Sequence, residues 1–455
     1  MKVPVAPPDS MSLLERVMKQ GPERLVEIIG QAGGPAPQGK YRHWDTLRHI
    51  EPPPRLDTEE WWFAIKLARK QVYVQLPLIA KDGAAFKYAL VDPAQRMLHF
   101  IDKNASGAIQ VEEVVADPSS RDTYLVKSLI EEAITSSQLE GASTTRAVAK
   151  EMLQRGRQPR DRSERMIHNN YQAMQFVRSI KGETLTPAMV FELHRILTDQ
   201  ALDDPSAAGR FRRDEEGIVV SDGVGTLLHR PPPASSLPDR MKALCTFANE
   251  KDDDSKRHFI HPVLRSILLH FALGYDHPFV DGNGRTARAL FYWSMAAQGF
   301  WLTEFISISR ILKKAPAKYG ESFLYVETDE NDTTYFILNQ LRVVERAIRA
   351  LHEYLADKTK EIKATAEILK RSPLVHAYFN YRQLALLNHA LKHPLFVYTF
   401  DSHQRAHAVS YQTARTDLLS LEGHKLLERV SRGRRFVFVA PADLKQRLDS
   451  WKGRR

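Results

Sequence analysis

A single cysteine, Cys245, stands in 455 residues. That excludes an internal disulfide framework and any zinc module built on paired cysteines. Long apolar runs are equally scarce. The longest candidates, such as Ile267–Tyr275, are short and contain His270, well below the roughly 18–20 residues that cross a bilayer. No internal repeat or low-complexity tract is present. With 43% apolar and 26% charged residues, collagen-like and largely disordered classes are set aside. The opening MKVPVAPPDS has three prolines and no apolar core, so no signal peptide is expected, the expected location is the cytoplasm, and no membrane partner is expected. The length predicts two or three units.

Charge is unevenly placed. The whole chain carries +10, but positions 371–455 hold 15 Lys+Arg against 6 Asp+Glu, while positions 1–370 hold 50 against 49. A surplus confined to the C-terminal stretch suggests an acidic partner for that part alone.

The stretch from Met1 to Ile50 reads as a helix near Ser12–Ile29 followed by a Pro/Gly loop. Thr58–Tyr73 has an acidic start and a basic end, which suits a helix dipole. Residues 86–102 read as a strand, a turn at Asp92-Pro93 and a short helix. From Arg121 helical spacing dominates, with helices expected at 124–139, 146–155, 161–180, 187–200, 238–250, 260–275 and 286–298. Between them, Ile218–Val220 and Thr226–Leu228 read as a hairpin around Ser221–Gly225, with Asp222-Gly223 supplying positive φ. Leu341–Leu369 is a long amphipathic stretch that bridges two units. After Pro373 come short helices, then strands at Leu426–Val430 and Arg435–Val439.

Chemistry concentrates in residues 277–288, HPFVDGNGRTAR. Gly282, Asn283 and Gly284 let the backbone turn its N–H groups inward at the start of a helix, an arrangement that binds phosphate. Arg285 and Arg288, three apart, share the first turn and place two guanidinium forks beside that site. Asp281 is a hard oxygen donor of the kind that holds Mg²⁺ together with phosphate oxygens. His277 is the one group in the string able to act as a base near neutral pH. Base, metal ligand, anion site and charge clamp together specify phosphoryl or nucleotidyl transfer.

The string resembles the Fic family signature, H-x-F-x-[D/E]-G-N-G-R-x-x-R, at every fixed position, and the resemblance covers roughly residues 120–345. It implies an enzyme that moves AMP from ATP to a hydroxyl side chain of a target protein, whose identity the sequence does not name. It also implies roles. His277 is the general base and Phe279 anchors the loop. Asp281 holds Mg²⁺, and Gly282, Asn283 and Gly284 bind phosphate oxygens. Arg285 contacts the outer phosphates and Arg288 the γ-phosphate. Tyr319, Asn331 and Asp332 lie where family members line the nucleotide and close the core, and are equally expected to be packing residues.

Upstream, Ser136-Ser137-Gln138-Leu139-Glu140-Gly141 fits the family's inhibitory motif, [S/T]-x-x-x-E-[G/N], on a helix before the core, as in the family's class II arrangement. The resemblance implies that Glu140 pairs with Arg288 and denies it to the γ-phosphate, with Ser136 and Gly141 completing the motif. The same site run in reverse, with Glu140 positioning water to remove AMP, is the alternative. The hairpin at Gly217, Ile218, Val219, Val220, Thr226, Leu227 and Leu228 matches the family's flap, which docks an extended target by strand addition; an ordinary surface hairpin is the alternative. Relatives of this class often dimerise, so a homodimer is among the expected assemblies.

Residues 409–421 (VSYQTARTDLLSL) have Ser410 as a helix cap and Ala414, Leu418 and Leu421 facing inward. Tyr411, Gln412, Thr413 and Arg415 then face outward, with Arg432, Arg434 and Arg435 on a hairpin beyond. The segment resembles the winged helix appended to many bacterial Fic proteins. Duplex DNA is one expected partner and a protein is the other. A nucleotide-sensing DNA-binding regulator is therefore a further alternative for the whole chain.

The expected fold is mainly α. It comprises an N-terminal α/β extension over 1–115, a helical core with a hairpin flap over 116–345, a linker helix over 346–372 and a winged helix over 373–455.

Overall fold

The computed structural model describes residues 2–31, 33–106, 118–250, 258–370, 375, 378–393, 396–407, 409–432 and 435–451. It is mainly helical, with three small antiparallel sheets. Two compact units divide the chain, Met1–Leu351 and His352–Arg455. Among the described residues no helix is long and apolar enough to cross a membrane.

The centre of the first unit is a pair of helices, Pro262–Asp276 and Asn283–Ala297, joined by the loop at 277–282. Nearly every residue of both is buried, polar ones such as Arg265, His270, Arg285 and Arg288 included. Helices Pro118–Leu139, Arg162–Ser179, Pro187–Thr198 and Leu237–Asn249 surround them. Asp161 and Thr186 cap the starts of two of these through Glu164 N and Met189 N. Glu132, itself buried, ties helix Pro118–Leu139 to the core. It accepts from Tyr292 Oη at 2.9 Å, from Ser307 Oγ at 2.7 Å and from the Ser309 hydroxyl.

Several expected boundaries move. The helix read across Ser12–Ile29 is two, Ser10–Met18 and Pro22–Gln31. Gly21 breaks it at φ 101°, and Pro22, which has no N–H, suits a helix start and not its interior. The helix read to Tyr73 stops at Lys70, after a capping box between Asp57 and Glu60. Tyr73–Ile79 is instead a strand, antiparallel to Ala85–Ala89. That hairpin buries Leu76, Leu78, Phe86 and Tyr88 in the central core.

Charge also holds the N-terminal segment in place. Lys66 Nζ lies 2.7 Å from Asp329 Oδ1, with both side chains buried, and Arg69 donates to Tyr335 Oη at 2.7 Å. Tyr41 and Tyr73 both donate to Asp332, and Asn331 donates to Asp82. Asn331 and Asp332 therefore pack the N-terminal segment onto the core. The boundary expected at 115/116 falls among residues 107–117, outside the described residues.

In the second unit the described elements are helix Tyr381–Lys392, strand Val397–Tyr398, helices Phe400–His407 and Tyr411–Gly423, strands Glu428–Arg432 and Arg435–Val439, and helix Leu444–Asp449. The strand expected from Leu426 begins at Glu428. The Val397–Tyr398 strand, too short to show a period, joins the sheet beside Arg435–Val439. Helix Thr334–Lys370 covers positions 346–370 of the stretch expected as a linker; 371–372 lie outside the described residues.

Candidate active site

The loop helix begins at Asn283, ahead of the expected start at Thr286, because Gly282 at φ 82° supplies its cap. A side chain at Gly282 is excluded twice over: a Cβ there would also stand 2.9 Å from Thr198 Cγ2. The earlier start places Asn283, Gly284 and Arg285 in the first turn. Arg288 moves to the second turn, so the two arginines do not share the first turn as the spacing predicts.

The Asn283 side chain is tied to the Phe279 main chain at both ends of its amide. Its Oδ1 accepts from Phe279 N at 2.9 Å and its Nδ2 donates to Phe279 O at 2.8 Å. Phe279 is buried and stacks on His194, ring centroids 3.8 Å apart.

His194 went unread in the sequence, where it is one histidine on an apolar helix. Its Nδ1 accepts from Gly209 N at 2.9 Å, so the proton sits on Nε2, which donates to Asp281 O at 2.9 Å. Burial pushes its pKa down to about 4 and keeps the ring neutral. The loop is thus pinned from beneath.

His277 sits at φ 45°, ψ 56°, just past the end of helix Pro262–Asp276. Its Nδ1 faces Gly274 O at 3.2 Å. A carbonyl only accepts, so Nδ1 carries the proton and Nε2 keeps its lone pair. Burial lowers the pKa to about 4, which leaves the neutral, basic ring at pH 7.

Asp281 is half-exposed. Its Oδ1 accepts from Gly282 N at 2.5 Å, and its Oδ2 lies 3.6 Å from Arg285 Nη2 and 3.7 Å from Arg162 Nη2. Arg162 is another residue the sequence reading missed. Arg285 is buried. Nη1 donates to Leu197 O at 3.0 Å, while Nε and Nη2 have no hydrogen-bond partner among the described residues. A buried guanidinium with donors left over needs an acceptor.

Arg288 is buried, and its Nε and Nη2 are engaged. Nε donates to Ser136 Oγ at 2.9 Å, and Nη2 to Ser136 O at 3.0 Å and Glu140 Oε1 at 2.8 Å. Helix Pro118–Leu139 ends just before Glu140, and Gly141 turns the chain at φ 93°. A Cβ on Gly284 would collide with the same Glu140 Oε1. The carboxylate therefore covers the first turn of the loop helix, the place a helix N-terminus offers to an anion.

That contact makes a prediction. Gly284→Ala should destabilise the wild-type chain by about 1–3 kcal/mol, and by much less beside Glu140→Gly. A thermal-melt double-mutant cycle measures the difference; equal losses in both backgrounds would remove Glu140 from this position.

The hairpin forms at Val220–Ser221 and Leu227–His229, shifted along from the expected Ile218–Val220 and Thr226–Leu228. The register slips between Val220 and Ser221, which period-two spacing does not anticipate. Asp222-Gly223 does not supply the positive φ; Gly225 does, at 83°. Asp222 Oδ1 instead caps the turn, accepting from Val224 N and Thr226 N. Gly217 is at φ 59° and exposed, Val219 and Leu227 are exposed, and Ile218 and Leu228 are half-buried. The Tyr319 hydroxyl is hydrogen-bonded to His270 Nε2 at 2.8 Å.

In the second unit Ser410 caps helix Tyr411–Gly423 through Thr413 N, and Ala414, Leu418 and Leu421 are buried. Tyr411, Gln412 and Arg415 are exposed, and Thr413 is half-buried. Positions 432 and 435 are paired in the hairpin's backbone register. Arg434 lies outside the described residues.

Residues 184–295 match the Fic/DOC family model. The protein adenylyltransferase Fic of Nematostella vectensis is 35% identical over 132 residues, which is 28% of this chain and 28% of that protein. The protein of the same name from Drosophila mojavensis is 34% identical over 111 residues, 24% of this chain and 19% of that one. The chain thus spans less than a third of these curated relatives. A crystal structure of a Fic family protein from Desulfovibrio desulfuricans G20 superposes with a TM-score of 0.51 at 17% identity, over 81% of this chain and 99% of that one. That likeness is one of fold.

Proposed function

We propose that this Fic/DOC family protein, a distant relative of protein adenylyltransferases, transfers AMP from ATP to a hydroxyl side chain of a protein and restrains itself through Glu140. The observation that carries the reading is the position of the Glu140 carboxylate, on Arg288 and over Gly284 at once. It stands where a polyphosphate would need both the helix N-terminus and the guanidinium.

In the reaction, the target oxygen attacks the α-phosphorus of ATP, the bond to the bridging oxygen breaks, and pyrophosphate leaves. His277 Nε2 takes the hydroxyl proton. The leftover donors of Arg285 meet phosphate oxygens, and Arg288 does so once Glu140 withdraws. Among the described residues no three His, Cys, Asp or Glu side chains group to hold a metal. One half-exposed carboxylate, Asp281, beside a guanidinium with free donors suits Mg²⁺ that arrives with its phosphates. Bound there, it would neutralise phosphate charge. The decisive test is label incorporation from ATP into proteins by the Glu140→Gly chain, with His277→Ala beside it as the control.

The flap supports target docking. Its two strands form a sheet of their own, leaving an outer edge for an added strand. Deleting Asp222–Gly225 should leave ATP affinity within about twofold and cut target modification roughly 10-fold or more. Unchanged modification would assign docking elsewhere.

For the second unit we propose a winged helix that binds duplex DNA. Its helix–strand–helix–helix–hairpin order, the exposed Tyr411, Gln412 and Arg415, and the local basic surplus support this. Affinity for duplex DNA should fall steeply with salt, with a log–log slope of about −3 to −5 for a handful of phosphate contacts. No retention at low salt would leave a protein partner for this face.

A further inference from the structure

The last carbonyls of a helix have no partner within it, and buried ones need donors from elsewhere. At the end of helix Pro262–Asp276 three successive carbonyls, on Tyr275, Asp276 and His277, find theirs on two side chains that bracket the flap in sequence. His229 closes the second flap strand, and its Nε2 meets Tyr275 O at 2.7 Å. Arg212 precedes the first flap strand. Its Nε donates to His277 O at 2.8 Å and its Nη2 to Asp276 O at 3.4 Å. The same Nη2 donates to Pro232 O, just beyond the flap. The Arg212 main-chain N–H donates to Pro278 O at 2.8 Å.

Both side chains are buried, at 5% exposure for Arg212 and 8% for His229. His229 is held on its other side too, with Nδ1 2.6 Å from Glu327 Oε1. His277 meanwhile occupies the left-handed region, where a residue other than glycine stays only if its surroundings over-determine it.

We propose that Arg212 and His229 are positioning residues that join the flap to His277, so that a target strand docked on the flap also sets the pose of the base. A strand added to the flap orders its two ends. Those ends carry Arg212, His229 and Pro232, and these hold the carbonyls from Tyr275 to His277. The imidazole then inherits its direction from the docking surface. This rests on the reading of His277 as the base for a docked hydroxyl.

The experiment uses the full chain with Glu140→Gly, and adds Arg212→Lys, which keeps charge but loses the fork. Steady-state transfer is measured beside the ¹³C–¹H resonance of the His277 ring, assigned by its loss in His277→Gln. We expect kcat to fall roughly 10- to 100-fold, with KM for ATP within about twofold and the His277 resonance displaced. Deleting Asp222–Gly225 should displace the same resonance. His229→Asn, which leaves Arg212 in place, should do so less and serves where Arg212→Lys does not fold. An unmoved resonance with unchanged kcat overturns the proposal. So does a fall in activity that only follows the lost folded fraction. If the parent transfers no AMP yet the resonance moves in both Arg212→Lys and the flap deletion, the joint stands and the assigned reaction fails.

Discussion

Glu140→Gly raises AMP transfer roughly 10²-fold over the wild-type chain, the scale of one lost transition-state donor in a dry site. In the resting protein Ser136 and Glu140 hold Nε and Nη2 of Arg288. ATP bound under those conditions competes with Glu140 for the Arg288 guanidinium and meets a carboxylate at the helix N-terminus. Removal of the carboxylate clears both at once. It also takes the paired carboxylate away from a buried cation. The nucleotide-free variant should therefore be less stable by about 1–3 kcal/mol, below the range for a fully buried pair because the Glu140 side chain is 28% exposed. Mg-ATP should restore much of that loss by binding the folded state. The checks are initial rates of label incorporation and melting with and without nucleotide. A rate within twofold of wild type would leave Glu140 as an ordinary ion-pair partner.

His277→Ala in the Glu140→Gly background lowers transfer by about 10²–10⁴-fold, the range for loss of a positioned general base. ATP affinity should stay close to that of the parent, since the loop is held from beneath by His194, Phe279 and Asn283. The pH profile gives a second check. Burial disfavours the imidazolium, so the free ring stays neutral down to a pKa of about 4. The base is then present throughout neutral pH, and kcat/KM of the free enzyme should fall only as pH drops through that value. An acid limb near the ordinary histidine range would mean that His277 is solvated, or that another group takes the proton.

Much of this site is legible in the residues. A run of twelve carrying base, carboxylate, glycines and two arginines is local, and its turn follows from glycine's freedom at positive φ, although the helix starts three residues earlier than the spacing suggests. The helices around it are legible for the same reason, since 3.6-residue spacing is a local pattern. The two-residue strands at 220–221 and 397–398 are too short to carry a period, and the break at Gly21-Pro22 is hidden inside an apolar stripe.

The amino-acid sequence by itself determined the chemistry available here and where along the chain it lies: a neutralisable base, one hard oxygen donor, two guanidinium groups, and a basic surplus confined to positions 371–455. Only the tertiary structure decided how these groups are engaged. It put the Glu140 carboxylate against Gly284, fixed the proton of His277 on Nδ1, left Arg285 with unused donors, and made Arg212 and His229 the caps of a helix end far along the chain from both. Each depends on the nearness of residues remote in sequence. No local pattern encodes that, because it arises when packed helices bring orphan carbonyls and buried charges to whichever partners share the same interior.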